Sequence, residues 1–460
     1  MNNRLPSFSA MRLLRALKLL PAADKYLIGF SGGADSTALL YALTELGPQL
    51  KTPVSAVHVN HGIHAESGLW QEHCEAFCRR HSITLQCLAV NPGSGSGKGT
   101  EAEARQLRYE AISSLLGPGD CLLTAHHSDD QVETLLLNLM RGSGVDGLSA
   151  MPEHRTLGAG SLQRPLLRFS NEALQRYLQE NDIGWLEDPS NQSLDHDRNF
   201  VRHRLIPLLE NRWPGTNKRI LLTRKAMAET RSLLEPMADQ YLGQHQKHRF
   251  VLGVTSRLKQ SPALFKLVVR RWLKKSGLPS VPARRLESLF LQIQQPSKRQ
   301  RITIDWDNWS VRFYKCQLWL QAAEEICPCP SVDWPVGQLK VDLGPQIGEL
   351  GFTGIEAEHL PISLNVGNRM NTEGNGLKQG EHHKSLKNLF QAANIPPWLR
   401  DSIPLCTVKG EMVAVGDWWF SKKFTNWMLE NNINFHWRPG GALLQYLSAT
   451  QHRATVNREG

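Results

Sequence analysis

The chain has 460 residues, 41% of them hydrophobic, with 53 Lys and Arg against 43 Asp and Glu and a formal charge of +10. This length exceeds one ordinary core and implies about two or three domains, and the basic excess favours a polyanionic partner, nucleic acid before an anionic membrane. No apolar run approaches the ~20 residues of a membrane span, and eight scattered cysteines with no Cys-x-x-Cys pair exclude a disulfide framework.

Near the N-terminus, Leu13, Leu14, Leu17 and Leu20 recur at helical spacing, interrupted by Arg15 and Lys18. That pattern predicts an amphipathic helix, without the continuous apolar core of a signal peptide, and a cytoplasmic chain is expected. Short apolar runs then alternate with helical patterns. Strands are predicted at 26–30, 54–60, 84–90 and 121–125, and helices at 35–46, 66–81, 100–116 and 129–140. Such βα alternation predicts an α/β fold with a doubly wound parallel sheet. Its ligand belongs at the carboxyl ends of the strands.

The first strand runs into Ser31-Gly32-Gly33-Ala34-Asp35-Ser36, which opens a helix. Glycines permit a tight turn and close backbone approach to an anion, and the helix N-terminus offers unpaired N–H groups. Ser31 and Ser36 add hydroxyls, and Asp35 is a candidate ligand for Mg²⁺ on a pyrophosphate. Read alone, the string also fits a Ser/Gly turn with an Asp helix cap. It is not a Walker A loop. Gly97-Lys98 is the sole Gly-Lys candidate, with Gly99 after it and Pro92 at the leading glycine position.

The second strand ends in His58-Val59-Asn60-His61-Gly62, where side chains can face a nucleotide; a capped polar strand end is the plainer reading. On the next helix Glu101, Arg105 and Arg108 share a face, which also fits a solvated salt-bridge face. Thr124-Ala125-His126-His127-Ser128-Asp129-Asp130-Gln131-Val132-Glu133-Thr134 leads from the fourth strand into a helix. Adjacent residues rarely converge on one metal and no Cys joins them, so an active-site cluster is favoured over structural zinc. Cys74 and Cys78, flanked by His73 and His81, read as buried structural cysteines on a helix.

From 198 to about 301 the pattern turns helical and basic, marked by Arg270-Arg271, Lys274-Lys275, Arg284-Arg285 and Lys298-Arg299. The Pro-rich passage 327–335 reads as a linker, and Met412-Val413-Ala414-Val415 suggests a small mixed α/β domain. The expected domains are 1–215, catalytic; 216–325, helical and basic; 326–345, linker; 346–445, C-terminal; and a tail, 446–460.

Taken in order, these strings resemble the tRNA(Ile)-lysidine synthase family of PP-loop ATPases. Arg141-Gly142-Ser143-Gly144, Arg164-Pro165-Leu166-Leu167, Glu187-Asp188-Pro189-Ser190-Asn191 and Arg198-Asn199-Phe200-Val201-Arg202 continue the resemblance. Ser385-Leu386-Lys387 and Ile395-Pro396-Pro397-Trp398 extend it to the C-terminal third. His64 stands where the family usually has Arg, and Arg369 is followed by Met-Asn-Thr instead of the usual glycines.

The resemblance implies that ATP and Mg²⁺ adenylate the first cytidine of a CAU anticodon in isoleucine tRNA, and that L-lysine then displaces AMP to give lysidine. No membrane and no obligate protein partner are implied. By the same resemblance Ser31, Gly32, Gly33, Ala34, Asp35, Ser36, His58 and Asn60 bind ATP, and Asp35 and Asp130 hold the metal. Glu101, Arg105 and Arg108 bind substrate. Asp35, His126, Asp130, Glu133, Arg198 and Arg202 are the expected catalytic residues. The basic helical region and C-terminal domain hold the tRNA body, and Trp272 and Trp398 are candidates either for base stacking or for core. A tRNA thiolase of the same superfamily and a non-catalytic RNA-binding protein are the alternatives. The missing Cys-x-x-Cys disfavours the first, and the complete Ser31–Ser36 loop disfavours the second.

Overall fold

A computed structural model describes residues 7–60, 67–90, 100–188, 192–278, 280–295, 302–322, 326–370, 376–379, 382–448 and 450. His61, Gly62, His64, Gly97-Lys98, Pro189-Ser190-Asn191, Lys298-Arg299 and the tail from 451 lie outside them, as does the side chain of Glu101. The chain divides into two units, Met1–Leu233 and Leu234–Gly460.

Unit 1 opens with helix α1 (Ala10–Leu17), capped by Ser9, whose hydroxyl accepts from the Arg12 amide. Leu13, Leu14 and Leu17 are buried, as their spacing predicts, while the helix stops before Leu20. Five parallel strands follow: β1 (Lys25–Gly29), β2 (Val54–Asn60), β3 (Leu85–Ala89), β4 (Asp120–Leu123) and, after a short antiparallel edge strand β5 (His154–Leu157), β6 (Gly160–Gln163). The sheet order is β3-β2-β1-β4-β6-β5. Strand β1 pairs with β2 on one side and β4 on the other, both parallel. The order reverses there, which opens a crevice beyond the carboxyl ends of β1 and β4.

Connecting helices cover the sheet. Helix α2 (Ala34–Leu46) is buried on nearly every side, which explains its run of Ala and Leu. Cys74 and Cys78 on α3 (Ser67–Arg80) are 0% and 1% exposed within the core shared by α2 and β1. Burial pushes their thiols up to about 12 and about 11, so they pack as small apolar groups. Helices α4 (Thr100–Ser113), α5 (Ser128–Met140), α6 (Val145–Leu148) and α7 (Asn171–Glu180) follow. Beyond them come α8 (Asp197–Phe200), a π-turn (Val201–Leu205) and α9 (Ile206–Arg212). The 30-residue helix α10 (Thr216–His245) contains the unit boundary.

Unit 2 is helical at first, as expected, and adds sheet. In α11 (Ser256–Gln260), α12 (Pro262–Lys275) and α13 (Ala283–Gln294), apolar side chains recur at helical spacing. Phe265, Val268, Val269, Trp272 and Leu273 form the buried stripe of α12, with Ser261 as its cap and Pro262 in its first turn. A five-stranded antiparallel sheet, built from segments between Gln246 and Ala322, completes this half. Residues 332–438 form a second five-stranded sheet and two smaller ones.

One hydrophobic cluster runs from Ala238 to Leu447, so the middle and C-terminal regions share a core. The stretch 326–345 is correspondingly not an exposed linker. Its Cys329, Trp334, Val341 and Leu343 are buried, and it supplies two short strands, Val332–Trp334 and Lys340–Asp342. Proline there sets turns between buried apolar anchors. The expected tail also begins inside structure, since Tyr446 and Leu447 are 1% exposed on the helix Gly441–Ser448.

Trp272 is core, and Trp398 is half-buried against it. Trp272 is 0% exposed and donates its Nε1–H to the Arg249 carbonyl at 2.9 Å; Trp398 packs edge-on to Tyr314 and Trp319. The basic pairs of α12 are partly neutralised. Arg271 and Lys274 reach Glu235 at 3.1 and 3.0 Å, and Arg271 and Lys275 reach Asp239 at 2.6 and 2.9 Å. Arg284 and Arg285 are exposed on α13. Among the described residues, no helix is long and apolar enough to cross a membrane.

Candidate active site

Gly32 sits at φ +81°, a conformation that glycine adopts without strain. A Cβ there would also lie 3.2 Å from the Cys74 sulfur. This turn folds residues 31–33 under the N-terminus of α2. The Ser36 hydroxyl donates to the Gly33 carbonyl at 3.0 Å and lies 3.1 Å from the Ser31 hydroxyl. Thr37 Oγ1 donates to the Gly32 carbonyl at 3.3 Å. No side chain caps α2, whose N-cap is Gly33. Its first-turn amides are thus arranged as an anion cradle. The Leu186 amide donates to the Gly32 carbonyl at 2.9 Å and fixes the loop from outside.

A cleft of about 260 Å³ opens beside this loop. Ser31, Asp35, Ser36, His58, Arg105, Arg108, Thr124, His126 and Asp130 line it, together with apolar side chains of β2, α4 and β4. The cleft therefore lies at the predicted crevice and gathers residues from four separate strings.

His58 is 6% exposed, and its Nδ1 lies 3.0 Å from the Phe30 carbonyl. A carbonyl only accepts, so Nδ1 carries the proton and Nε2 is left as an acceptor. Burial lowers the His58 pKa and keeps the ring neutral, against the pull of that hydrogen bond. Asn60, at the strand end, donates to Gln71 at 3.3 Å.

The two adjacent histidines after β4 have opposite chemistry. Burial drives the His126 pKa down to about 3, outweighing the Asp130 charge, with Arg164, Arg105 and Arg198 reinforcing the drop. Its Nδ1 lies 2.9 Å from Thr124 Oγ1. His127 is also buried, but Asp35, Asp130 and Asp129 overcome the desolvation and push it up to about 9. Its Nε2 lies 3.4 Å from Asp35 Oδ2 and 3.5 Å from Asp130 Oδ2. The Asp129 amide points at Nδ1 from 3.2 Å and opposes protonation there, so in either charge state the proton on Nε2 faces the two carboxylates.

Asp35 is held from a second side. Asn171 Nδ2 donates to Asp35 Oδ1 at 2.8 Å, while the Asn171 amide donates to Asp129 at 2.8 Å. Asp130 caps α5 by accepting from the His127 amide at 2.9 Å. Its other oxygen accepts from Arg198 at 2.7 Å. Burial alone would raise the Asp130 pKa, but His127, Arg198 and His126 hold it below the usual range.

Glu133 lies one helical turn further along α5 and is 1% exposed. Arg198 Nε donates to it at 2.7 Å, and Arg202 donates through Nε at 2.5 Å and Nη2 at 3.1 Å. Arg202 is the second residue of the π-turn, in which the Ile206 amide reaches back to the Val201 carbonyl. The spacing of 198 and 202 by four residues lets both guanidiniums meet one carboxylate. Glu133 is not on the cleft wall: it anchors the two arginines. Arg198 and Arg202 are joined to the cleft through Asp130.

On the opposite wall Arg105 and Arg108 face the cleft from α4, as their spacing predicts. His127 and Asn171 were not distinguished from their neighbours by sequence. For His127 the signal was present, since capping a helix beside two acids differs from its neighbour's setting. Asn171 carries none, because its contact with Asp35 spans 136 positions.

The donor set suits Mg²⁺, which takes one or two carboxylates and completes its shell with phosphate oxygens and water. Asp35 is the better ligand. Its side chain is 34% exposed on the cleft, whereas Asp130 is 11% exposed and already engaged by Arg198. Among the described residues no three His, Cys, Asp or Glu side chains are grouped to cage a metal.

Residues 8–209 match a PP-loop domain, 258–319 a TilS substrate binding domain and 364–437 a TilS substrate C-terminal domain. A tRNA(Ile)-lysidine synthase of Alkalilimnicola ehrlichii is 37% identical over 91% of this chain and 95% of its own length. Those of Methylococcus capsulatus and Legionella pneumophila are 34% and 33% identical, over 91% and 89% of this chain and 98% and 96% of theirs. With all three regions matched in order, and with relatives aligned over nearly their full length, the chain belongs to the tRNA(Ile)-lysidine synthase family.

Proposed function

We propose that this chain uses ATP to join L-lysine to the first anticodon cytidine of a CAU-anticodon isoleucine tRNA, in the cytoplasm. The observation that carries the reading is the convergence of Asp35, His126 and Asp130 on one cleft beside an uncapped helix N-terminus. The product, lysidine, pairs with A in place of G and shifts the tRNA from methionine to isoleucine identity.

A cytidine 2-carbonyl oxygen is a poor leaving group until it is esterified. In the first step that oxygen attacks the α-phosphorus of ATP, and the bond to pyrophosphate breaks. Residues 31–36 and the first turn of α2 hold the departing pyrophosphate through N–H and hydroxyl donors. Asp35, with Asp130 nearby, would hold Mg²⁺, which would neutralise phosphate charge there. His127 and Asn171 fix the Asp35 carboxylate from two sides. His58 lines the cleft and is assigned to the nucleotide, as is Asn60 at the end of the same strand, which is not among the lining residues.

In the second step the lysine ε-amine attacks C2, and AMP leaves with the former 2-oxygen. An ordinary lysine amine has a pKa of about 10.4 and must lose a proton first. Asp130, held ionised, receives the ammonium; the neutral His126 ring beside it accepts a hydrogen bond from the amine, and the proton passes to bulk water, since a ring that titrates near 3 is too weak a base to keep it. Arg198 and Arg202, clamped by Glu133, lend positive charge near the phosphates and keep Asp130 in place. Arg105 and Arg108 on α4 line the cleft and are assigned to substrate, as is Glu101, whose side chain lies outside the described residues. Unit 2, with its two substrate-domain matches, holds the tRNA body by phosphate contacts.

The test is AMP release with ATP, lysine and a CAU transcript, against a transcript whose first anticodon base is uridine. Release with the first alone is expected. Equal release with both would overturn the base assignment.

A further inference from the structure

Of the 13 tryptophans, Trp213 alone is exposed, at 54%. It ends the helical run 197–212, made of α8, the π-turn and α9. Its backbone is pinned on both sides. The Trp213 amide donates to the Leu209 carbonyl at 2.8 Å. The Trp213 carbonyl accepts from Thr216 Oγ1 at 2.6 Å and from Arg219 Nη2 at 2.9 Å. Gly215, at φ +83°, makes the turn into α10, and the Thr216 amide donates to Glu210 at 2.7 Å. The Arg212 guanidinium lies 5.6 Å from the indole centroid.

A single exposed apolar side chain on a loose turn is ordinary surface. Here the turn is fixed and its surroundings are cationic. From Arg204 to Lys225 the chain has six Lys and Arg and one acid, Glu210, which is engaged by the Thr216 amide. Arg204, Arg212, Lys218, Arg219 and Lys225 are exposed. A rigid ring among cations suits an unpaired nucleotide: the base stacks on the ring, a guanidinium adds a cation–π contact, and the phosphates meet the charge. A paired RNA helix offers no free base face for this contact. Trp213 follows Arg202 along the helical run by about 16 Å, from the rise per residue. Arg202 in turn lies 3.5 Å from Asp130 of the cleft. That separation is short enough for one RNA loop to span both places.

We propose that Trp213, with Arg212 beside it, is a stacking platform for an unpaired base of the same RNA loop that delivers the cytidine to the cleft. The proposal rests on the tRNA-ligating reading above. It gives unit 1 an RNA contact of its own, and Trp213 takes the stacking role for which the sequence suggested Trp272 and Trp398.

The test uses the full chain and a CAU isoleucine transcript without ATP or lysine, with affinity read by filter binding. Trp213→Ala is expected to weaken binding about tenfold, as loss of one stacked base implies, and Trp213→Phe to recover most of it. The salt dependence of binding should be unchanged in Trp213→Ala and shallower in Arg212→Ala, since only the second removes a charge. The transcript should quench tryptophan fluorescence in the wild type and much less in Trp213→Phe, a readout that a merely structural residue would not move. Unchanged affinity in Trp213→Ala, or equal quenching in Trp213→Phe, overturns the proposal. So does a Trp213→Ala protein that sediments as a smaller species than the wild type with tRNA affinity intact, which would give the ring to a second copy of the chain. Wild-type protein that binds the transcript and joins no lysine once ATP and lysine are added would instead overturn the ligase reading itself.

Discussion

His127 Nε2 lies 3.4 Å from Asp35 Oδ2, and that contact ties the loop after β1 to the loop after β4. The two strands are neighbours in the sheet, so the contact closes the crevice at the point where strand order reverses. It also links Asp35 to the acids of α5 through one ring.

Asn171 and His127 are positioning residues for Asp35. Asn171→Ala removes one donor and is expected to lower kcat about tenfold while leaving tRNA affinity unchanged. Asp35→Ala removes the candidate metal ligand and is expected to lower kcat by at least about a hundredfold. Steady-state kinetics with a CAU transcript measures both. An Asn171→Ala enzyme with wild-type kcat would show that Asp35 needs no second support.

Glu133→Gln takes a buried charge from between two arginines. Each arginine is about one-third exposed, at 31% and 34%, so water recovers part of the loss. Unfolding of unit 1 in urea is expected to become easier by about 2 kcal/mol, below the range for a fully buried pair. Activity should fall further than stability explains, because Arg198 also holds Asp130.

The paired histidines set opposing pH windows. His127 titrates near 9 when folded against an ordinary 6.5, so its contribution is full below 6.5 and is lost as pH rises through about 9. His126 titrates near 3 when folded, so the unfolded chain binds the extra proton between about 6.5 and 3, and stability falls as pH drops through that window. Unit 1 is therefore expected to be most stable near pH 6.5. Replacing His127 by Gln should remove the alkaline loss and leave the acidic one. Urea midpoints from pH 4 to 10 read both limbs.

The histidine pair and Asn171 show how much was legible in sequence. The parallel sheet, the Ser31–Ser36 loop and the α4 arginines could be read because each is local: a period, a glycine turn, a helical face. What remained hidden depends on contacts between distant strings. Asn171 meets Asp35 only because α7 packs against α2, and Glu133 proved to be an anchor because Arg198 and Arg202 cover it. The 326–345 stretch misled because proline signals turns irrespective of whether the residues between them are buried. Basic pairs on α12 misled similarly, since their acidic partners sit on α10.

Exposed Arg284 and Arg285 on α13 remain as candidate phosphate contacts in unit 2. Arg284→Glu with Arg285→Glu is expected to raise KM for tRNA about tenfold at moderate salt and to leave ATP affinity unchanged. The salt dependence of tRNA binding should become shallower. Unchanged tRNA binding would place the RNA on another face of the unit.

The central claim is tested most directly by incubating the protein with labelled lysine, ATP, Mg²⁺ and a CAU isoleucine transcript, alongside the transcript carrying uridine at the first anticodon position. The account predicts lysine incorporation into the CAU transcript alone, with one AMP released per lysine joined and none in Asp35→Ala. AMP release without lysine incorporation would contradict it and assign the nucleophile to a different molecule.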